Sequence, residues 1–276
     1  MTKSYCKLGI SAVTLRQLDP LEGLQVAAGV GFKGYELWVS QLQGLSEHKI
    51  KEIEDTARSL GIELLPLMGV HNFFVKAEDS ASRRRIFDLA AKLKIPTVTL
   101  VPGELPESMS SMDLHAGISQ VMLAQHEATA SGVSLLLEMV AFPKRPFNSL
   151  DQARALCERT GLKLVLDTFH LAVSQTHPKA IELLPASLVG LVHLSDAVTV
   201  GKPTFGKLQD EDRVLPGEGG LPLHDILRAL RKIGYDGYVC VEVFHPKYAQ
   251  MDPQEVAEKA YKSAKEFLEE AGWQVQ

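Results

Sequence analysis

The chain has 276 residues, 45% of them hydrophobic and 23% charged, a globular composition that excludes intrinsic disorder. Lys and Arg number 29 against 34 Asp and Glu, and a net charge of −5 argues against nucleic acid or an anionic membrane as partner. Cys6, Cys157 and Cys240 show no CxxC spacing and read as small core hydrophobes in a reducing cytosol; with no signal-peptide run and no stretch of ~18 apolar residues, the expected location is cytoplasmic.

Apolar runs predict strands over Lys7–Thr14, Gly34–Val39, Glu63–Val70, Thr97–Pro102, Ser134–Val140, Lys163–Phe169, Leu188–Ser195 and Tyr238–Phe244. They are nearly continuous rather than alternating, as in a parallel sheet covered on both faces. Amphipathic stretches between them predict helices over Leu45–Leu60, Ser80–Leu93, Ser111–Ser131, Leu150–Thr160, Pro222–Ile233 and Asp252–Glu270. Ser46 is the expected cap of the first, and glycines at 61, 132, 161 and 234 punctuate successive helix-to-strand junctions. Eight strands separated by helices predict a single-domain α/β (β/α)8 TIM barrel over residues 1–276, with a doubly wound open sheet as the alternative.

Two segments need separate readings. Gly29-x-Gly31-x-x-Gly34 has the dinucleotide spacing but precedes a strand instead of following one, so it predicts a helix stop and a tight turn, with no nicotinamide cofactor. Asp196–Leu221 is too long for an idle connection and predicts a functional loop after its strand.

A barrel of this kind places its chemistry at the C-terminal ends of its strands. Four consecutive predicted strands end in a group foreign to an apolar core: Glu138, Asp167, His193 and Glu242. An unpaired carboxylate there would cost several kcal/mol unless it is neutralised, paired or bound to a cation. One shared divalent ion answers all four; three carboxylates and one imidazole suit Mn2+, Mg2+ or Co2+, with Zn2+ also open. Local pairing of each residue is the competing reading.

His170 follows Asp167 closely and is expected to point into the pocket from a loop, as a further ligand or as a donor to a substrate oxygen. Arg213, in DEDRVLPGEGG, offers a planar fork for vicinal substrate oxygens, or a surface ion pair with the acids before it. Gly217, Gly219 and Gly220 allow that loop to turn tightly and lack the GK[ST] of a phosphate loop. Glu36 sits mid-strand beside Trp38, which reads as a pocket wall for a sugar face or as a core residue. His71, Asn72 and His245 follow strands and could line the same mouth or lie on the surface.

The runs LVLDTFH, VHLSD, DEDRVLPGEG and VCVEVFHPKY resemble the xylose isomerase-like barrel superfamily, most closely its inosose (2-keto-myo-inositol) isomerase branch. The resemblance spans nearly the whole chain and is strongest from Glu138 onward. It implies that Glu138, Asp167, His193 and Glu242 hold the metal, that His170 and Arg213 contact substrate, and that Glu138 and Glu242 form the acid/base pair. The activity implied is isomerisation or epimerisation of a small keto-polyol or sugar. Dehydration of a dehydroshikimate- or keto-inositol-type substrate, or a non-catalytic subunit, is the alternative. A homo-oligomer is compatible with the sequence, which contains no patch arguing for one. Two departures fall on pocket loops: Phe142-Pro143 where relatives carry His-Pro, and His245 where they carry Arg.

Overall fold

The computed structural model describes residues 4–75, 80–199 and 207–276. Its strands are β1 (Tyr5–Ser11), β2 (Gly34–Glu36), β3 (Glu63–Leu64), β4 (Leu67–Phe73), β5 (Thr97–Pro102), β6 (Ser134–Glu138), β7 (Lys163–Asp167), β8 (Val189–Leu194), β9 (Asp196–Ala197), β10 (Arg213–Val214), β11 (Tyr238–Val241) and β12 (Gln274–Val275). Nine of them run parallel in the order β3-β2-β1-β11-β8-β7-β6-β5-β4, and a bridge between Trp38 and Met68 nearly closes the ring. This is the expected TIM barrel, because β3 and β4 are two halves of the single strand predicted over Glu63–Val70. Pro66, which has no N–H to give to a ladder, stands at the break.

Around the ring lie α1 (Pro20–Val30), α2 (Val39–Leu42), α3 (Glu47–Leu60), α4 (Ser80–Lys92), α5 (Leu114–Ala130), α6 (Leu150–Thr160), α7 (Thr168–Val173), α8 (Pro178–Ile181), α9 (Leu223–Lys232) and α10 (Pro253–Glu270). Ser46 caps α3 by accepting from the Lys49 N–H, as expected. Helix α1 escapes the periodicity reading, although Asp19 and Glu22 form a capping box with Pro20 in the first turn. Gly31 ends α1 with φ +115° and Gly34 opens β2, so the glycine-rich spacing is a helix stop and a strand start. Among the described residues, no helix is long and apolar enough to cross a membrane. All three cysteines are buried and free.

The barrel interior explains where the chemistry sits. Leu65, Leu136, Val165, Leu191 and Cys240 pack together as one buried layer. Side chains alternate along a strand, so the residue two positions further returns to the same interior face. On β6, β7 and β8 those residues are Glu138, Asp167 and His193, and just beyond β11 it is Glu242. An apolar floor thus lies under a polar layer at the C-terminal mouth.

Strand ends differ from the expectation where the polar layer begins. The run Lys163–Phe169 stops at Asp167, whose side chain accepts from the Phe169 N–H at 2.7 Å and caps α7. His170 therefore projects from a helix, not from a loop. The run Tyr238–Phe244 stops at Val241, which leaves Glu242 on the lip. The long loop contains the antiparallel pair β9–β10 and the 3-10 turn Asp210–Asp212; its residues 200–206 lie outside the described residues.

Candidate active site

Ligand atoms of Glu138, Asp167, His193 and Glu242 all lie within 4.8 Å of one another, and all four residues are buried. His193 is oriented from behind: its Nε2 lies 2.9 Å from Glu36 Oε1. A carboxylate only accepts, so Nε2 carries a hydrogen. Against the effect of burial, the charges of Glu242 and Glu36 and the contact with Glu138 hold the ring well above the ordinary imidazole value. Without a cation Nδ1 is therefore protonated as well, and a bound cation would take that proton's place. That Nδ1 has no hydrogen-bond partner and faces Glu242 Oε2 at 3.4 Å and Glu138 Oε1 at 3.6 Å. An orphaned imidazole nitrogen among carboxylate oxygens, backed by a second-layer carboxylate, is a donor set suited to a divalent cation.

The charges press in the same direction. Four buried carboxylates, counting Glu36, share the site with one buried guanidinium, Arg213, which meets Asp167 and Glu242. Burial holds Glu242 well above the ordinary carboxylate range, against the pull of His193 and Arg213 and with repulsion from Glu36 and Glu138 added. Burial also raises Glu138, but the hydrogen bond and charge of His193 more than reverse it. Burial and the nearby Arg213 charge depress His170, which favours a neutral ring.

Arg213 is not on the surface. It is buried, and Nη1 contacts Asp167 Oδ2 and lies 3.3 Å from Glu242 Oε2. Nη2 lies 2.8 Å from Asp210 and 3.0 Å from His170 Nε2, and the guanidinium sits 4.4 Å from the centre of the Phe169 ring. The pair with a preceding acid exists, through Asp210, as one edge of a buried network that also includes Asp167 and Glu242.

The β9–β10 ladder sets Arg213 opposite Ala197. One carboxylate locks this loop. Asp196 Oδ1 accepts from Ala197 and Leu221 N–H at 2.8 and 2.9 Å, and Oδ2 accepts from Gly217 and Gly219 N–H, both at 3.1 Å. Gly219 approaches so closely that a Cβ there would sit 2.2 Å from the Ala197 carbonyl oxygen.

Glu138, His170, Asp210, Arg213 and Glu242 face a cavity of about 270 Å³ at the barrel mouth, lined also by Trp38, His71, Asn72, Phe142, Arg145 and Phe244. Trp38 donates from Nε1 to Ser11 Oγ at 3.0 Å and stacks on His71, with ring centres 5.3 Å apart. Both the expected aromatic wall and His71 are therefore at the mouth. His245 is not among the lining residues; it caps the turn Pro246–Gln250 by accepting from the Lys247 N–H, and Phe244 faces the cavity in its place.

Residues 24–271 match the sequence profile of the family described as the xylose isomerase-like TIM barrel. The chain belongs to that family. The inosose isomerase of Halalkalibacterium halodurans is 31% identical over 268 residues, covering 92% of each chain. The D-psicose 3-epimerase of Agrobacterium fabrum is 24% identical over 241 residues, 80% of this chain and 78% of that one. A solved structure of the IolI protein, described with a bound zinc atom, superposes with a TM-score of 0.83 at 22% identity, over 96% of this chain and 99% of that one. The resemblance carried by the motifs after Glu138 is borne out, and the chain is an enzyme of the sugar isomerase and epimerase family.

Three residues of this xylose isomerase-like barrel carry no role in the sequence reading. Glu36 signals itself only as a lone acid in a buried strand. Asp196 stands three residues after His193, ahead of a distant glycine cluster that the fold wraps around it. Arg145 lies in a polar turn with no pattern that would single it out.

Proposed function

We propose that the protein is a metal-dependent isomerase or epimerase of a small, inosose-like keto-polyol, acting by removal and return of a proton α to a ketone. The observation that carries this is the buried convergence of Glu138, Asp167, His193 and Glu242, of which Glu138 and Glu242 line a small cavity at the barrel mouth. The similarity to an inosose isomerase and to a ketose epimerase supports the same chemistry.

Glu138, Asp167, His193 through Nδ1, and Glu242 would hold one divalent ion. Mn2+, Mg2+, Co2+ and Zn2+ all suit these donors, and zinc is the ion in the IolI structure. Such an ion supplies Lewis acidity to a ketone and its neighbouring hydroxyl, which lowers the cost of enediolate charge.

The rest is done by the chain's own groups. One of Glu138 and Glu242 removes the proton through a free carboxylate lone pair. The other returns a proton, to the adjacent carbon for isomerisation or to the opposite face for epimerisation. Arg213 and the neutral His170 present donors to polyol oxygens and fix which carbon faces the glutamates. The Trp38 ring supplies a flat apolar surface for the C–H face of the substrate.

The test is incubation with a panel of keto-inositols and ketohexoses in D2O. Deuterium uptake at one carbon is expected, followed by interconversion to an isomer or epimer. Uptake followed by loss of water would move the assignment to a dehydratase, and no uptake from any member would remove the reading.

Glu36 gives a separate check on the metal site. Its carboxylate fixes the His193 tautomer, and second-layer partners of this type are worth about 10- to 100-fold in metal affinity. Glu36→Gln is expected to raise the dissociation constant for the activating ion by that factor, with kcat recovered at high metal concentration. An unchanged metal titration would deny Glu36 this role.

A further inference from the structure

Two guanidinium groups line the active-site cavity, and they differ in what already engages them. Arg213 is surrounded by Asp167, Asp210 and Glu242, and its charge is matched within the protein. Arg145 has one hydrogen-bond partner, the Pro102 carbonyl, to which Nη1 donates at 2.9 Å. No carboxylate of the described residues lies within 4.0 Å of it. A guanidinium carries five N–H donors in a fixed fork and keeps its charge at every physiological pH. Arg145 therefore presents an unmatched positive charge and free donors on the wall of a cavity that Glu138 and Glu242 also line.

The backbone holds it there. The Arg145 N–H donates to the Phe142 carbonyl at 3.2 Å, and the Lys144 carbonyl accepts from the Leu105 N–H at 2.7 Å. Lys144 and Phe147, on either side, adopt φ +64° and +55°, a region where a non-glycine residue is strained by about 1–3 kcal/mol. Such conformations persist where the surroundings over-determine them. Here the Phe147 ring packs on Phe74 at 5.2 Å and over Gly117, where a Cβ would stand 2.3 Å from the ring. The strained segment thus places one cation without a carboxylate partner on the cavity wall.

We infer that Arg145 is a specificity-determining residue that binds an oxyanion, a carboxylate or a phosphate, at the end of the substrate remote from the reacting carbons. This rests on the keto-polyol reading above and deepens it: among keto-polyols, those with an acidic group at the remote end bind tighter than their neutral counterparts. The small cavity favours the smaller of the two oxyanions. The fork of Arg145 matches either one, through two parallel N–H···O bonds.

The test uses ligands without a ketone, so that it stands apart from turnover. D-glucitol, D-gluconate and D-glucitol 6-phosphate share one polyol chain and differ in a terminal CH2OH, carboxylate or phosphate. Calorimetric titration of the protein as purified is expected to show at least one of the two anions binding about tenfold or more tighter than D-glucitol, and which of them gains identifies the oxyanion. Arg145→Ala should erase that preference and leave the D-glucitol affinity within about twofold; Arg145→Gln carries the same expectation if the alanine variant does not fold. Equal affinity for all three ligands, or a preference that survives loss of the guanidinium, overturns the inference. Failure of the D2O panel with the anion preference intact would instead remove the isomerase reading and leave the oxyanion site standing.

Discussion

Glu242→Gln is expected to exchange the substrate α-proton at about a hundredth to a ten-thousandth of the wild-type rate, the range general acid–base groups contribute, while folding and retaining metal. The amide keeps the shape of the side chain and an oxygen that can still face a cation, since amide carbonyls also serve as oxygen ligands. What it loses is the basic lone pair and the exchangeable acidic proton. Stability should change little, because the substitution removes the attraction of His193 and Arg213 together with the repulsion from Glu36 and Glu138. The measurement is deuterium uptake by NMR, beside metal content and a thermal melt of the same sample. Uptake near the wild-type rate in a metal-loaded variant would take Glu242 out of proton transfer. A variant that had lost its metal would answer a different question, so the metal content decides how the rate is read.

That site is legible in the sequence because each of its residues interrupts an apolar run at the same depth. Leu136, Val165, Leu191 and Cys240 form the floor, and two residues later each strand reaches the mouth with Glu138, Asp167, His193 or Glu242. An even period carries the interior face forward, so a polar residue at that offset is placed by the strand itself. Long-range pairing is not legible in the same way. Arg213 follows Asp210, Glu211 and Asp212, which reads as a surface pair, and only the closed barrel brings it against Asp167 and Glu242. Helix α7 is hidden for a different reason: all six of its residues are buried, so it has no polar face and shows no 3.6-residue period. Its start lies in the double role of Asp167, which caps the helix with one oxygen and meets Arg213 with the other. Arg145 depends on a turn whose left-handed residues are held by contacts with Phe74 and Gly117, distant in the chain.

Adding Mn2+, Mg2+, Co2+ or Zn2+ to chelator-treated protein should raise the melting temperature, by about 5–10 °C for the preferred ion at a hundredfold excess over its dissociation constant. Binding to the folded state alone at that excess contributes about 2.7 kcal/mol, and each kcal/mol moves the midpoint by roughly 2–4 °C in a chain of this size. Chelation should silence deuterium exchange, and the ion that stabilises most should be among those that restore it. Asp167→Asn separates the cluster from nonspecific binding to the acidic surface. Its amide oxygen can still cap α7 at the Phe169 N–H, while its NH2 group replaces the oxygen that Arg213 meets. The site thus loses one negative charge and one Arg213 contact, and the metal-free melt of the variant itself is the reference for its shift. Ligand charge count is one of the controls on the affinity of an oxygen-rich cation site, so this variant should need about tenfold more metal for the same shift. A thermal shift that ignores Asp167→Asn would place the bound ion elsewhere on the protein. Full activity after chelation, with no shift from any of the four ions, would leave Glu138, Asp167, His193 and Glu242 as a purely proton- and arginine-balanced cluster.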